Sequence, residues 1–150
     1  DPPMGPTQNT VRLAFPSAFE MIDLVQLVTD RVGRLMSFDD DTRHWVGVAV
    51  RESVINAIKH GNRHDPQKVV VVEFDLGPAN PPEELTVSVC DQGEGFDPDA
   101  LPDPLAPENL LKSSGRGIFF MRSFMDGVVL SKCPGGGMQV RMVKRVVRPA

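Results

Sequence analysis

The sequence predicts a single two-layer α/β sandwich with helices on one face of a sheet. Three observations carry that expectation. Two early segments repeat apolar residues at helical spacing, strand-like runs stand before and after them, and the second helical segment is apolar on most sides, so it must be buried against a sheet. A length of 150 residues suits one such domain, which can bury roughly two thirds of its unfolded surface in a single core.

Residues 1–9, rich in proline and polar side chains, read as a flexible tail, and the folded domain spans 10–148. "TVRLAF" alternates as a strand. "SAFEMIDLVQLVTDRVGRLM" reads as a helix with Ser17 as its N-cap and Glu20 completing a capping box. "DDDTRHWVGVAVRESVINAIKHGN" starts a second helix from acidic capping residues and stops at Gly61 and Asn62. "KVVVVEFDL" and "ELTVSVCD" are strands joined by the turn "GPANPP". Residues 96–114 hold four prolines without periodicity, a length and composition that suit a lid or a disordered segment better than a simple connection. "GRGIFFMRSFM" reads as a third helix opened by glycines, with Met121, Phe124 and Met125 packed into the core. "GVVLSKC" and "MQVRMVKRVV" then form a closing hairpin around "PGGG", whose glycines serve the turn rather than a ligand.

Composition removes several classes of function. With 16 Lys and Arg against 20 Asp and Glu, the net charge of −4 leaves no electrostatic footprint for wrapping nucleic acid. Cys90 and Cys133, far apart and without a CxxC pair, fit separate reduced thiols in core packing better than a disulfide or a zinc site. No apolar stretch reaches the roughly 20 residues of a bilayer span, and the start lacks the regions of a signal peptide. A cytoplasmic location away from membranes is expected.

Chemistry concentrates at three places. Glu52 and Asn56 interrupt the apolar second helix, and with His60 four residues further on they project along one flank. A buried carboxylate without a partner costs roughly several kcal/mol, so Glu52 is either paired structurally or faces a polar pocket. "DQGEGFD", residues 91–97, leaves a strand through two glycines beside carboxylates. That suits a plain turn, a calcium loop, or a nucleotide pocket in which glycine lets a ligand reach the backbone. Gly115 and Gly117 open a helix whose free amides and positive dipole end suit a phosphate.

Taken in order, these are Glu-x3-Asn on a helix, Asp-x-Gly-x-Gly after a strand, a long loop, and Gly-x-Gly at a helix start. In that order residues Thr10 to Val146 resemble the GHKL (Bergerat-fold) ATPases. "ESVINAIKHGN", "DQGEGFD" and "SSGRGIFFMRSFMD" are most similar to the bacterial anti-sigma factor serine/threonine kinases, the RsbW and SpoIIAB type. The resemblance implies a mixed, mostly antiparallel sheet, with ATP held between the second helix and the lid. It implies Asn56 as a Mg²⁺ ligand, Glu52 as general base and Asp91 as acceptor for the adenine exocyclic amine. Gly93 and Gly95 would pass close under the base, and Gly115 and Gly117 close to the phosphates. Lys59, His60, Lys112 and Arg116 are the candidate phosphate cations.

The calcium reading then fades, because glycines replace acidic ligands at alternate positions and no glutamate closes the loop. A dinucleotide-binding fold is excluded because "GEGFDP" lacks a third glycine and leads into prolines rather than a helix. The implied function is an anti-sigma regulatory factor that binds Mg-ATP, phosphorylates a serine or threonine of an anti-anti-sigma (STAS) protein and sequesters a sigma factor. A homodimer is expected, with no direct nucleic-acid or membrane partner. Two alternatives stay open: a nucleotide-dependent switch that captures its partner without phosphorylating it, and an ATPase module excised from a larger signalling protein.

Overall fold

The computed structural model describes residues 9–94 and 121–148. β1 (Thr10–Pro16) leads into α1 (Met21–Leu35) and α2 (Asp40–Asn56), followed by β2 (Val69–Asp75), β3 (Glu84–Cys90), β4 (Gly127–Lys132) and β5 (Met138–Arg145). The strands form one sheet in the order β1-β2-β3-β5-β4. Every pairing among the described residues is antiparallel.

Alternation decides which sheet face is covered. Val70, Val72 and Phe74 of β2, Leu85, Val87 and Val89 of β3, and Val140 and Met142 of β5 are all buried. The register sets Val72 opposite Val89 and Val87 opposite Met142, so the apolar positions line up across strands. α1 and α2 cover this face with Val25, Val32, Val46, Ala49, Val50 and Val54, giving the expected two layers. Fully burying one such valine contributes about 1.5–3 kcal/mol. The opposite face is polar, with Arg12 paired to Glu73 at 3.2 Å and Ser88 opposite Arg141.

The helix starts differ from each other. Asp39 caps α2, its carboxylate accepting the Thr42 N–H at 2.8 Å. Ser17 does not cap α1, contrary to the capping-box expectation: α1 begins at Met21 after Glu20, which makes no side-chain cap bond. Ser17 is buried, and its hydroxyl donates to the Lys68 carbonyl at 2.7 Å and accepts from Asn62 Nδ2 at 2.7 Å. Tertiary partners have taken the hydroxyl that a local cap would have used.

Of the third helix, residues 121–124 are helical and the remainder of "GRGIFFMRSFM" before them lies outside the described residues. Met121 and Met125 are core residues as expected, whereas Phe124 is half-buried and stacks on Trp45 with ring centroids 4.1 Å apart.

The cysteines overturn their expectation. Cys90 and Cys133 are joined in a disulfide, with Cα atoms 6.0 Å apart. Cys90 ends β3 on the face away from the helices, not in the core. β5 lies beside β3, and the turn that enters β5 folds back over the end of β3, which brings Cys133 to Cys90 across 43 residues of sequence. Among the described residues no helix is long and apolar enough to cross a membrane.

Candidate functional site

Asp91 follows β3 directly and is only 6 % exposed. A carboxylate so placed needs donors. Its Oδ1 accepts the Gly93 N–H at 2.9 Å and the Met138 N–H at 3.1 Å. Among the described residues, Oδ2 accepts no hydrogen bond. The acid is thus held by backbone on one oxygen, while the other accepts no bond from the described residues.

Three glycines make room for it. A Cβ on Gly61 would overlap the Asp91 carboxylate, one on Gly93 would overlap the Gly61 carbonyl oxygen, and one on Gly137 would overlap the Asp91 carbonyl oxygen. Three chain segments therefore meet around one acid with no side chain between them.

Asn62 ties this cluster to the sheet. It is fully buried, its Nδ2 donates to Ser17 Oγ at 2.7 Å and to the Val69 carbonyl at 3.1 Å, and its Oδ1 accepts the Gln92 N–H at 2.7 Å. Gln92 Oε1 in turn accepts the Val69 N–H at 2.7 Å. One side-chain amide, using both donors and its acceptor, fixes the residue next to Asp91 against β1 and β2.

Between α2 and Asn62, residues Ala57–Gly61 wind as a single π turn, with the Asn62 N–H bonded to the Ala57 carbonyl at 2.8 Å. Such turns recur at functional sites. Here the winding carries the chain so that Gly61 meets Asp91. Beyond it, Arg63 and His64 are both left-handed, at φ 51° and 60°, a conformation that non-glycine residues rarely adopt.

Glu52 and Asn56 are half-buried and one helical turn apart on α2. Arg51 Nη1 lies 3.9 Å from Glu52 Oε2, a loose pair that contributes little in solvent. Ser53 points inward instead, its hydroxyl 3.2 Å from Met121 Sδ and 3.4 Å from Met142 Sδ. That inward anchor leaves the Glu52–Asn56 flank at the edge of the core. Lys59 and His60 are exposed and make no hydrogen bond or ion pair with the described residues. Gly95, Lys112, Gly115, Arg116 and Gly117, together with the lid at 96–114, lie outside the described residues.

No group of three or more His, Cys, Asp and Glu among the described residues is placed to hold a metal ion. The amide oxygen of Asn56, with Glu52 one turn away, is a sparse oxygen donor set. Mg²⁺ suits such a set, because it keeps waters and phosphate oxygens for most of its shell.

The motifs did not single out Gln92, Gly137 and Met138, and took Gly61 and Asn62 only as a helix stop. One signal was present. "PGGG" contains more glycine than its turn uses: Gly136 has φ 108° and nothing near its Cβ position, whereas Gly137 is needed for its approach to Asp91.

Residues 15–144 match the family described as Histidine kinase-like ATPase domain. That span contains the whole described site, and the chain belongs to this family. Within it the chain is similar to the serine-protein kinase RsbW of Staphylococcus epidermidis, 29 % identical over 156 residues that cover 95 % of this chain and 91 % of that protein. RsbW of Bacillus subtilis (strain 168) is 26 % identical over 140 residues, covering 89 % and 84 % respectively. The anti-sigma F factor of Clostridium botulinum (strain Eklund 17B / Type B) is 30 % identical over 102 residues, covering 67 % and 68 %.

Proposed function

We propose that this chain is an anti-sigma regulatory factor that binds Mg-ATP, transfers the γ-phosphate to a serine or threonine of a STAS-type anti-anti-sigma protein, and sequesters a sigma factor. Its class is that of an ATP-dependent protein serine/threonine kinase, from its ATPase-domain family and its similarity to proteins named serine-protein kinases. The Asp91 cradle is the observation that carries the nucleotide reading. Oδ1 is held by two backbone N–H groups, and Oδ2, which accepts no bond from the described residues, faces the ligand donor in this reading. Adenine offers an exocyclic amine to such an acceptor, where guanine presents a carbonyl. Gly93 lets the base lie close to the backbone.

Asn56 and Glu52 divide the remaining work. Asn56 would hold Mg²⁺, which supplies neutralising charge on the phosphates during transfer. Glu52, whose carboxylate has among the described residues only the loose Arg51 contact, accepts the proton of the attacking hydroxyl. In this reading Gly95, Gly115 and Gly117 approach the nucleotide, Lys59, His60, Lys112 and Arg116 supply positive charge, and residues 96–114 close as the lid. The protein acts as a homodimer in the cytoplasm. The name of the clostridial relative, anti-sigma F factor, supports the sigma-factor partner.

Glu52→Gln tests the kinase mechanism, because it keeps size and hydrogen bonding but loses basicity. Radiolabel transfer from ATP to the cognate STAS protein should fall by about 10²–10⁴, nearer the lower end because positioning and electrostatics dominate phosphoryl transfer. Binding of ATP and sigma factor, measured on the same preparation, should survive. Transfer at the parental rate removes the base assignment. A parent that binds ATP and sigma factor but labels no STAS protein is a non-catalytic switch instead.

A further inference from the structure

We infer that Cys90 and Cys133 form a redox-responsive staple on the nucleotide pocket, binding nucleotide more tightly when oxidised than when reduced. The inference rests on the ATP reading of Asp91. Its basis is where the two sulfurs sit. Cys90 immediately precedes Asp91. Cys133 opens the turn that ends in Gly137 and Met138, and its N–H bonds the Gly137 carbonyl at 2.7 Å. Met138 clasps Asp91 from both sides: its N–H donates to Oδ1 at 3.1 Å and its carbonyl accepts the Asp91 N–H at 3.1 Å. Gly137 packs directly on the Asp91 carbonyl. The disulfide therefore joins the two segments whose contact holds the acid in place.

The pair is also reachable. Both cysteines are half-buried, and Cys90 lies on the sheet face that the helices do not cover. Lys132, Pro134, Gly135 and Gly136 around Cys133 are exposed. Opening the bond leaves no hole in the core.

A hydroperoxide can close it. One thiolate attacks a peroxide oxygen, the O–O bond breaks and an alcohol or water leaves, giving a sulfenic acid. The second thiol attacks that sulfur and expels water. Two electrons and two protons pass from the thiols to the peroxide. A dithiol reductant reopens the pair by thiol–disulfide exchange and is itself oxidised to a disulfide.

The cross-link spans 43 residues and restrains the chain that separates the cysteines. In the folded protein it keeps the turn seated on Asp91. Donors already in place lower the ordering cost of binding.

The test is calorimetry on the full chain with Mg²⁺ and a non-hydrolysable ATP analogue, after hydrogen peroxide and again after a dithiol, with free thiols titrated in each sample. The oxidised protein should bind about three- to tenfold more tightly. The ratio should collapse to one in Cys133→Ser. A bond that serves stability alone would move the unfolding midpoint and leave the affinity ratio at one. Equal affinity in both states, tighter binding by the reduced form, or two titratable thiols persisting after peroxide would overturn the staple. Equal affinity leaves the ATP reading standing, whereas no binding in either state defeats that reading and the staple together.

Discussion

The two ends of α2 carry polar clusters built on opposite principles. At its start, Arg43 reaches Asp40 at 2.7 Å and Asp30 at 3.2 Å, while Arg34 reaches the other oxygen of Asp30 at 3.1 Å. The Arg43 stem is largely covered and its guanidinium also donates to the Phe38 carbonyl at 3.0 Å, but its carboxylate partners stand in solvent, where each pair contributes little and the acids can adjust. At its end, Gly61 and Asn62 meet Asp91, Gln92, Gly93, Gly137 and Met138 through backbone groups and one buried amide. A rotamer change of Asp91 or Asn62 there breaks several bonds at once. Pairs with exposed carboxylates steady a helix start, and backbone contacts packed glycine to acid fix the position of one buried carboxylate.

The buried end should break hardest under the smallest change. Gly61→Ala adds one methyl group that must displace the Asp91 carboxylate. Its ATP affinity should fall as far as that of Asp91→Ala, about ten- to hundredfold for a lost charge-assisted hydrogen bond of about 1.5–3 kcal/mol. Both variants should also lose preference for ATP over GTP in calorimetry. Normal ATP binding by either would remove the carboxylate from the base pocket.

Asn62→Ala should come next, with its larger effect on stability. It leaves the part-buried Gln92 N–H, the buried Ser17 hydroxyl and the Val69 carbonyl each short of a bond, a loss of about 1–3 kcal/mol that urea denaturation would register as a lower midpoint. Asn62→Asp keeps an acceptor for Gln92 but loses both donors. It should recover ATP affinity more completely than stability, and the reverse order would assign Asn62 to folding alone.

The exposed end should yield the smallest change, and one that depends on pH. The N–H of Thr42 holds the Asp39 carboxyl below its ordinary value of 3.8. A depressed value in the folded state means that the charge stabilises the fold above about pH 4, and that this contribution is lost as pH falls through the folded value. Asparagine keeps the cap bond without the charge. Asp39→Asn should therefore be slightly less stable than the parent near neutral pH and converge with it in acid. A gap that is constant with pH would assign the effect to the hydrogen bond.

Much of the frame was readable because it depends on local period. The alternation in "ELTVSVC" became β3 with Leu85, Val87 and Val89 buried, and the acidic run before the second helix became its cap at Asp39. The motif residues Asp91 and Gly93 were likewise identifiable, being close in sequence to the strand that presents them. Ser17 misled because a serine ahead of a helix reads as a cap until a distant asparagine claims its hydroxyl.

By itself, then, the sequence determined the elements, the layer pattern and the short motifs, since periodicity and turn chemistry act between residues a few positions apart. Only the tertiary structure decided which glycines stand against Asp91, which asparagine anchors the loop and which cysteines meet. Those contacts join residues 30 positions apart at Asn62 and Gln92, 43 at the cysteines and 47 at Asp91 and Met138. The last two exist because β5 lies between β3 and β4, a strand order set by how the whole apolar face is buried and written in no single segment.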